Sequence, residues 1–170
     1  ATARTLAEPL VLAALACALA NRHRLALAVL AAAAMLHPLV AAPGIAAVFL
    51  WHAIARPRLL WLIPLFVGLI PALAVAWPGL GLGLRFDPPW LAAVQERSPH
   101  LFIARWLLPD WSRFLWGLCA AWIAARFVDA PVRRLVTAVA FVGLAGVSAS
   151  WIAVDLLDNA FVAGLQLWRA

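Results

Sequence analysis

Apolar residues follow one another in long runs along this chain, and short polar segments separate the runs. Six runs predict helices, at residues 9–20, 25–36, 45–55, 59–77, 111–127 and 132–154. The first three hold about a dozen residues each, roughly 18 Å of helix, whereas the hydrocarbon core of a bilayer is about 30 Å thick. These three therefore cross a bilayer only with help from flanking residues or neighbouring helices.

The segment 25–55 has two interpretations, because HPLVAAPG interrupts it. Pro38 and Pro43 each remove a backbone donor and disfavour helical geometry in the preceding residue, and Gly44 adds a further break. The segment is therefore either a helical hairpin that turns in HPLVAAPG or one long kinked helix. A hairpin places the arginines of NRHR, of RPR and of residues 126–134 on one side of a membrane, as the positive-inside rule requires. The charge pattern favours the hairpin.

The composition indicates a membrane protein. The chain is 67% hydrophobic and 12% charged, with a mean hydropathy of +0.99, whereas a soluble domain is about 45–50% apolar and 25% charged. These figures predict an all-α, polytopic helical bundle of about six membrane-embedded helices, several of them short or kinked by proline, in the inner membrane of a bacterium. We expect residues 1–170 to form a single membrane domain, in which 78–110 is an outer, periplasmic loop with short interfacial helices.

The net charge of +6 raises the question of a nucleic-acid partner. All thirteen basic residues are arginines, and most of them flank apolar segments instead of lining one polar face. We therefore predict membrane lipids as partners and no nucleic acid. Cys17 and Cys119 lie in different predicted helices without metal-ligand spacing, and zinc motifs and phosphate-binding glycine loops are absent from the sequence. We expect neither a metal site nor a cofactor.

The segment 95–111, QERSPHLFIARWLLPDW, concentrates charged and aromatic residues in the outer loop. Arg97, His100 and Arg105 are candidates for binding a phosphate or pyrophosphate head group, because arginine offers paired donors in a fixed fork. The alternative is an interfacial loop whose arginines merely reach lipid phosphates. His37, at a helix break, is a candidate ligand donor or proton carrier, against the alternative that it satisfies the carbonyls of the broken helix.

Shorter signals predict local structure near this segment. DPPWLAAVQER predicts a helix with Asp87 as its cap. GLGLGL (79–84) predicts a flexible linker, because its glycines lack the strand–turn–helix context of a dinucleotide site. Asp155 and Asp158 stand three residues apart and would share one helix face, where they could act as an acid–base pair. DLLDN more simply marks the outer end of a membrane helix.

Three short motifs resemble those of bacterial multi-spanning proteins of the GT-C glycosyltransferase type. They are HP at 37–38, RSPHLF at 97–102 and QLWR at 166–169. Members of that family often carry HP after an early helix, a loop resembling RSPYLF and a later QPWR. In this chain His100 stands in place of the common tyrosine, and Leu167 stands in place of the expected proline.

The resemblance implies transfer of a sugar from a polyprenyl-phosphate donor at the outer face of the membrane. Arg97, His100 and Arg105 would hold the phosphate, and His37 would lie beneath them. The family's catalytic acidic residue usually lies in the first outer loop, so we expect it to precede this chain, which looks like a piece of a longer protein. The alternatives are a transporter or flippase segment, a membrane scaffold, or a polysaccharide polymerase.

Overall fold

The structure, a computed structural model, describes residues 3–76, 79 and 81–165, and most of these residues are helical. Its α-helices are α1 (Ala3–Leu19), α2 (His23–Leu36), α3 (Pro38–Ala55), α4 (Leu62–Ala76), α5 (Pro88–Arg97), α6 (Leu108–Phe127), α7 (Ala130–Ser150) and α8 (Ala160–Leu165). A π-helical segment, Trp151–Leu156, prolongs α7. The described residues contain no β-strand, so the all-helical prediction is confirmed for them.

The chain divides into two compact units. The first comprises Ala1–Arg58 and Leu118–Gly143, and the second comprises Leu59–Gly117 and Leu144–Arg169. The first unit carries eight arginines and two carboxylates, a net charge of +6, which equals the net charge of the whole chain. The excess positive charge of this protein therefore belongs to the first unit.

Helices α2 and α3 form the predicted hairpin in the first unit. They meet at His37, whose N–H donates to the Ala33 carbonyl (2.8 Å) and whose carbonyl accepts from the Ala41 N–H (3.1 Å). At the far ends of the two helices, the rings of His23 and His52 lie 5.0 Å apart. The two helices therefore run back along each other, and the single kinked helix is excluded.

The turn of the hairpin is shorter than the sequence predicted. We expected α3 to begin near Ile45, after the whole of HPLVAAPG, but it begins at Pro38 and continues through Pro43. Pro38 at the first helical position loses no hydrogen bond, because the N–H groups there have no partner within the helix. Pro43 lies inside α3 and removes one i→i−4 hydrogen bond, but the helix continues through it. The break is therefore His37 alone, which is extended (φ −155°, ψ 91°).

Helices α1, α2 and α3 approach one another closely at Gly44. Ala41, Gly44 and Ala47 are buried and three residues apart, so they form a strip of small side chains on α3. A Cβ atom at Gly44 would lie 2.6 Å from Val11 Cγ1 on α1 and 3.3 Å from Leu30 Cδ2 on α2. Only glycine fits at this contact without a shift of its neighbours.

Two helical segments of the described chain are long and apolar enough to cross a membrane. They are Pro38–Ala55 and Ala130–Leu156, the second of which includes the π-helical end of α7. His23–Leu36 is apolar but shorter. The figure of about six membrane-embedded helices stays a prediction, and its fourth helix was expected to end at Trp77, which lies outside the described residues.

We expect Gly44→Ala to destabilise the first unit by about 1–3 kcal/mol, because it adds a methyl group to a filled contact. The measurement is thermal unfolding of the purified protein, followed by tryptophan fluorescence. Gly143→Ala is the matched control, since a Cβ there meets no atom within 4 Å. It should leave the unfolding temperature unchanged or raise it, because alanine favours helix.

Val11→Ala supplies a second control for the same contact. Combined with Gly44→Ala, it removes the methyl group that the new Cβ meets, so the double variant should be more stable than the sum of the single effects predicts. Strict additivity of the two changes would contradict the close contact between α1 and α3.

Candidate functional site

The predicted outer loop is largely folded against the end of α7 in the second unit. Phe102 and Val154 are 2% and 1% exposed and form a buried cluster with Ala163 of α8. Partly buried apolar residues pack around this cluster: Phe86, Leu91, Val94, Leu101 and Val162. The segment that carries the candidate cations therefore has a small hydrophobic core of its own.

The second half of GLGLGL is held in place, so the flexible-linker prediction was wrong for these residues. The side-chain amide of Asn159 donates to the Leu82 carbonyl, and the N–H of Ala160 donates to the Leu84 carbonyl, both at 2.8 Å. Asn159 and Ala160 follow the glycine-rich segment by more than 70 residues, so no local sequence pattern indicated these hydrogen bonds. Leu80 lies outside the described residues.

The carboxylate of Asp155 fixes the centre of the loop. Its two oxygens accept hydrogen bonds from the backbone N–H groups of Ile103 (3.0 Å) and Ala104 (3.1 Å). These N–H groups open the 3-10 turn Ile103–Arg105, where a helical turn has no internal partner for them. Hydrogen bonds to an ionised carboxylate are stronger than those between neutral groups. Asp155 thus holds the turn that carries Arg105.

Sequence reasoning missed this role of Asp155. It treated Asp155 and Asp158 as a weak acid–base pair or as the mark of a helix end. Both oxygens of Asp155 are occupied by backbone donors that lie about fifty residues earlier. The one available signal was a carboxylate at the end of an apolar helix, since such a group needs a partner.

The three predicted cations of the loop lie in this folded segment. Arg105 donates from Nη2 to Gln95 Oε1 (2.7 Å), a neutral acceptor that orients the guanidinium without cancelling its charge. Arg97 ends α5, is exposed, and forms no ion pair with the described residues. His100 is exposed, and its carbonyl accepts from Trp106 Nε1 (3.1 Å). The segment thus presents two guanidinium groups and an imidazole.

His37, the fourth candidate, belongs to the first unit. Its backbone N–H and carbonyl bond to the two helices at the break, as the backbone of any residue in this position would. Its Nδ1 atom is buried and has no hydrogen-bond partner among the described residues. The side chain therefore keeps one nitrogen without a hydrogen bond to the described residues. His37 belongs to the first unit, whereas Arg97, His100 and Arg105 belong to the second.

Carboxylates cap the helices on either side of Arg97, His100 and Arg105. Asp87 accepts from the N–H of Trp90 (2.7 Å) and caps α5 as predicted. Asp110 lies within the first turn of α6 and accepts from the N–H of Leu107 (3.2 Å), so it reaches back to the start of that helix as the acidic residue of a capping box does. The helices that flank the candidate site thus have defined ends.

An apolar groove adjoins the turn that Asp155 holds. Its volume is about 300 Å³, and its lining is almost entirely apolar and aromatic: Ile103, Ala104, Trp111, Phe114, Leu144, Val147, Ser148 and Trp151. The ring centroids of Trp106 and Trp111 lie 5.2 Å apart in an edge-to-face arrangement. Arg105 directly follows two lining residues and belongs to the same 3-10 turn, and its guanidinium group donates to Gln95. This arrangement suits a molecule with an anionic head and an apolar tail.

Comparisons with protein families, with curated proteins and with solved structures give no match for this chain. The QLWR motif of the GT-C resemblance, at 166–169, lies outside the described residues. The functional argument therefore depends on the geometry of the second unit and on the motifs within it.

Replacing Asp155 with alanine should expose the amides that it holds. A hydrogen bond to a charged acceptor contributes about 1.5–3 kcal/mol, so hydrogen exchange at Ile103 and Ala104 should accelerate about tenfold or more. Asp155→Asn keeps one acceptor oxygen and should protect one of the two amides.

Asp158→Asn is the matched control, because the Asp158 side chain makes no hydrogen bond with the described residues and asparagine tolerates the positive φ of 52° at this position. Equal exchange in all three variants would refute the role of Asp155.

Proposed function

We propose that this chain is part of a multi-pass bacterial inner-membrane protein of the GT-C glycosyltransferase type, which binds a polyprenyl-phosphate-linked sugar at the periplasmic face. The observation that carries the proposal is the turn held by Asp155, in which Arg105 directly follows two residues that line an apolar, aromatic groove. The RSPHLF motif of the resemblance lies in the same folded segment. The proposal concerns substrate binding, and it assigns the catalytic acidic residue to no residue of this chain.

The exposure of large apolar side chains supports the membrane part of this proposal. Met35 is 90% exposed, Phe127 is 85% exposed and Trp61 is 80% exposed. Monomeric soluble proteins rarely expose large contiguous apolar surface, because water disfavours it, whereas lipid tails cover such side chains without penalty. With the two segments long enough to cross a bilayer, this exposure favours a bundle of about six membrane-embedded helices, several of them shielded by neighbours.

The charge distribution supports the proposed orientation. The positive-inside rule assigns the arginine-rich ends of the first unit to the cytoplasm. The outer loop has balanced charge, with Arg85, Arg97 and Arg105 against Asp87, Glu96 and Asp110. We therefore assign the loop to the periplasm, where polyprenyl-phosphate donors of this enzyme type are used.

The chemistry of the groove and of the cations matches the two ends of a polyprenyl phosphate. Arginine binds phosphate oxygens through paired N–H donors, and Gln95 leaves most donors of Arg105 unused. An isoprenoid chain is apolar and fits a surface of tryptophan, phenylalanine and branched aliphatic side chains. Arg97 and His100 add further donors for a pyrophosphate or for the sugar.

In the intact protein, Arg105→Ala should weaken binding of a polyprenyl phosphate by roughly tenfold to a hundredfold, because a charge-assisted contact is lost. Arg105→Lys should retain part of the affinity, since it keeps the charge and loses the fork. Arg113→Ala is the matched control: its side chain is 81% exposed and lies 3.8 Å from Asp110. The measurement is the amount of polyprenyl phosphate that co-purifies with each variant, quantified by mass spectrometry.

Cell-envelope glycans provide the test of the reaction itself. Cells without the parent gene should lack one sugar and accumulate its polyprenyl-linked donor. Unchanged glycans would indicate transport or a scaffold role, and equal lipid binding by Arg105→Ala and Arg113→Ala would reject the binding site.

A further inference from the structure

The start of α2, the end of α3 and the start of α7 meet at one end of the first unit. The ring of His23 lies 5.0 Å from that of His52 and 6.1 Å from that of Trp51. The indole nitrogen of Trp51 donates to the Pro131 carbonyl at the start of α7 (3.0 Å). Five side chains of these three helix ends form what we call the basic cluster: His23, Trp51, His52, Arg56 and Arg134.

The positive charges of the basic cluster have no carboxylate partner among the described residues. Arg56 follows His52 by one helical turn, and its backbone N–H donates to the His52 carbonyl (2.9 Å). Arg134 directly precedes Leu135, which packs in the same buried core as Trp51. Of the first unit's two carboxylates, Glu8 pairs with an arginine within α1, and Asp129 forms no ion pair with the described residues. Like charges held together without a counterion create a strong local attraction for an anion.

Trp51 attaches the basic cluster to the buried core of the first unit. It is 6% exposed and belongs to the buried core of the first unit, together with Leu135 and Ala138 of α7. Its ring lies 4.8 Å from that of the adjacent His52. Packing against Trp51 therefore positions both imidazole rings, whereas of the two arginines Arg134 is half-buried and Arg56 is exposed. The packed rings distinguish the basic cluster from scattered surface arginines.

We propose that the basic cluster binds the phosphate of an anionic lipid head group in the cytoplasmic leaflet. Two guanidinium groups and two imidazole rings offer N–H donors to the phosphate oxygens, and basic residues clustered at the cytoplasmic ends of helices attract such head groups. The assignment rests on the membrane placement proposed above and is independent of the transferase reaction. It adds a second phosphate site, in the first unit, to the one in the second.

Native mass spectrometry of the intact, detergent-purified protein tests this site, with phosphatidylglycerol and phosphatidylcholine as the added lipids. The wild type should retain phosphatidylglycerol preferentially. Arg56→Gln and Arg134→Gln should each weaken that retention roughly fivefold, the effect of one basic residue near an anionic head group. Arg58→Gln and Arg4→Gln are the matched controls, because each removes one positive charge from the same unit but leaves the basic cluster intact. They should weaken retention less than twofold.

Equal losses in all four variants would indicate general attraction to anionic surfaces and overturn the site, as would the absence of a lipid preference in the wild type. Binding of inorganic phosphate at millimolar concentration without any lipid preference would also overturn it, in favour of a soluble phosphate ligand. Polyprenyl phosphate binding is measured on the same samples. If it fails while the phosphatidylglycerol preference follows the basic cluster, the transferase proposal alone is rejected.

Discussion

Every break in the helices of so apolar a chain leaves backbone N–H and carbonyl groups that need partners, and this requirement organises the structure. Unsatisfied groups are costly in any apolar surrounding. The backbone of His37 closes α2 and α3 at once. The carboxylate of Asp155 holds two N–H groups of the loop before α6, and Asn159 holds a carbonyl of the glycine-rich segment. These three polar residues thus lie where helices stop.

The same requirement explains why the loop before α6 is able to carry a site. A loop without partners for its backbone would be mobile, and its arginines would sample many positions. Here Asp155 fixes the turn, Gln95 orients Arg105, and a small core around Phe102 packs the segment against the end of α7. The arginines of the loop therefore belong to a folded segment that also lines an apolar groove, which is the basis of the proposed binding of a polyprenyl phosphate.

The two units differ in charge, and the proposed functions differ accordingly. The first unit holds the entire net charge of the protein, gathered at helix ends that Trp51 ties together. In the second unit, carboxylates stand beside the arginines and serve as caps and loop anchors. An arginine that has no carboxylate partner attracts the phosphates of a lipid surface from a distance. An arginine in a loop whose charges balance acts only on a phosphate that binds directly to it.

The sequence by itself determined the helical class, the hairpin of α2 and α3, the cap at Asp87 and the position of the cations in the chain. These features depend on hydrophobic runs, on proline and on charges near helix ends, which act over a few residues. Only the tertiary structure decided that the turn is His37 alone, that Gly44 is the contact of three helices, and that Asp155 holds the loop. These contacts join residues up to about fifty positions apart, and no local pattern specifies which distant backbone group a side chain meets.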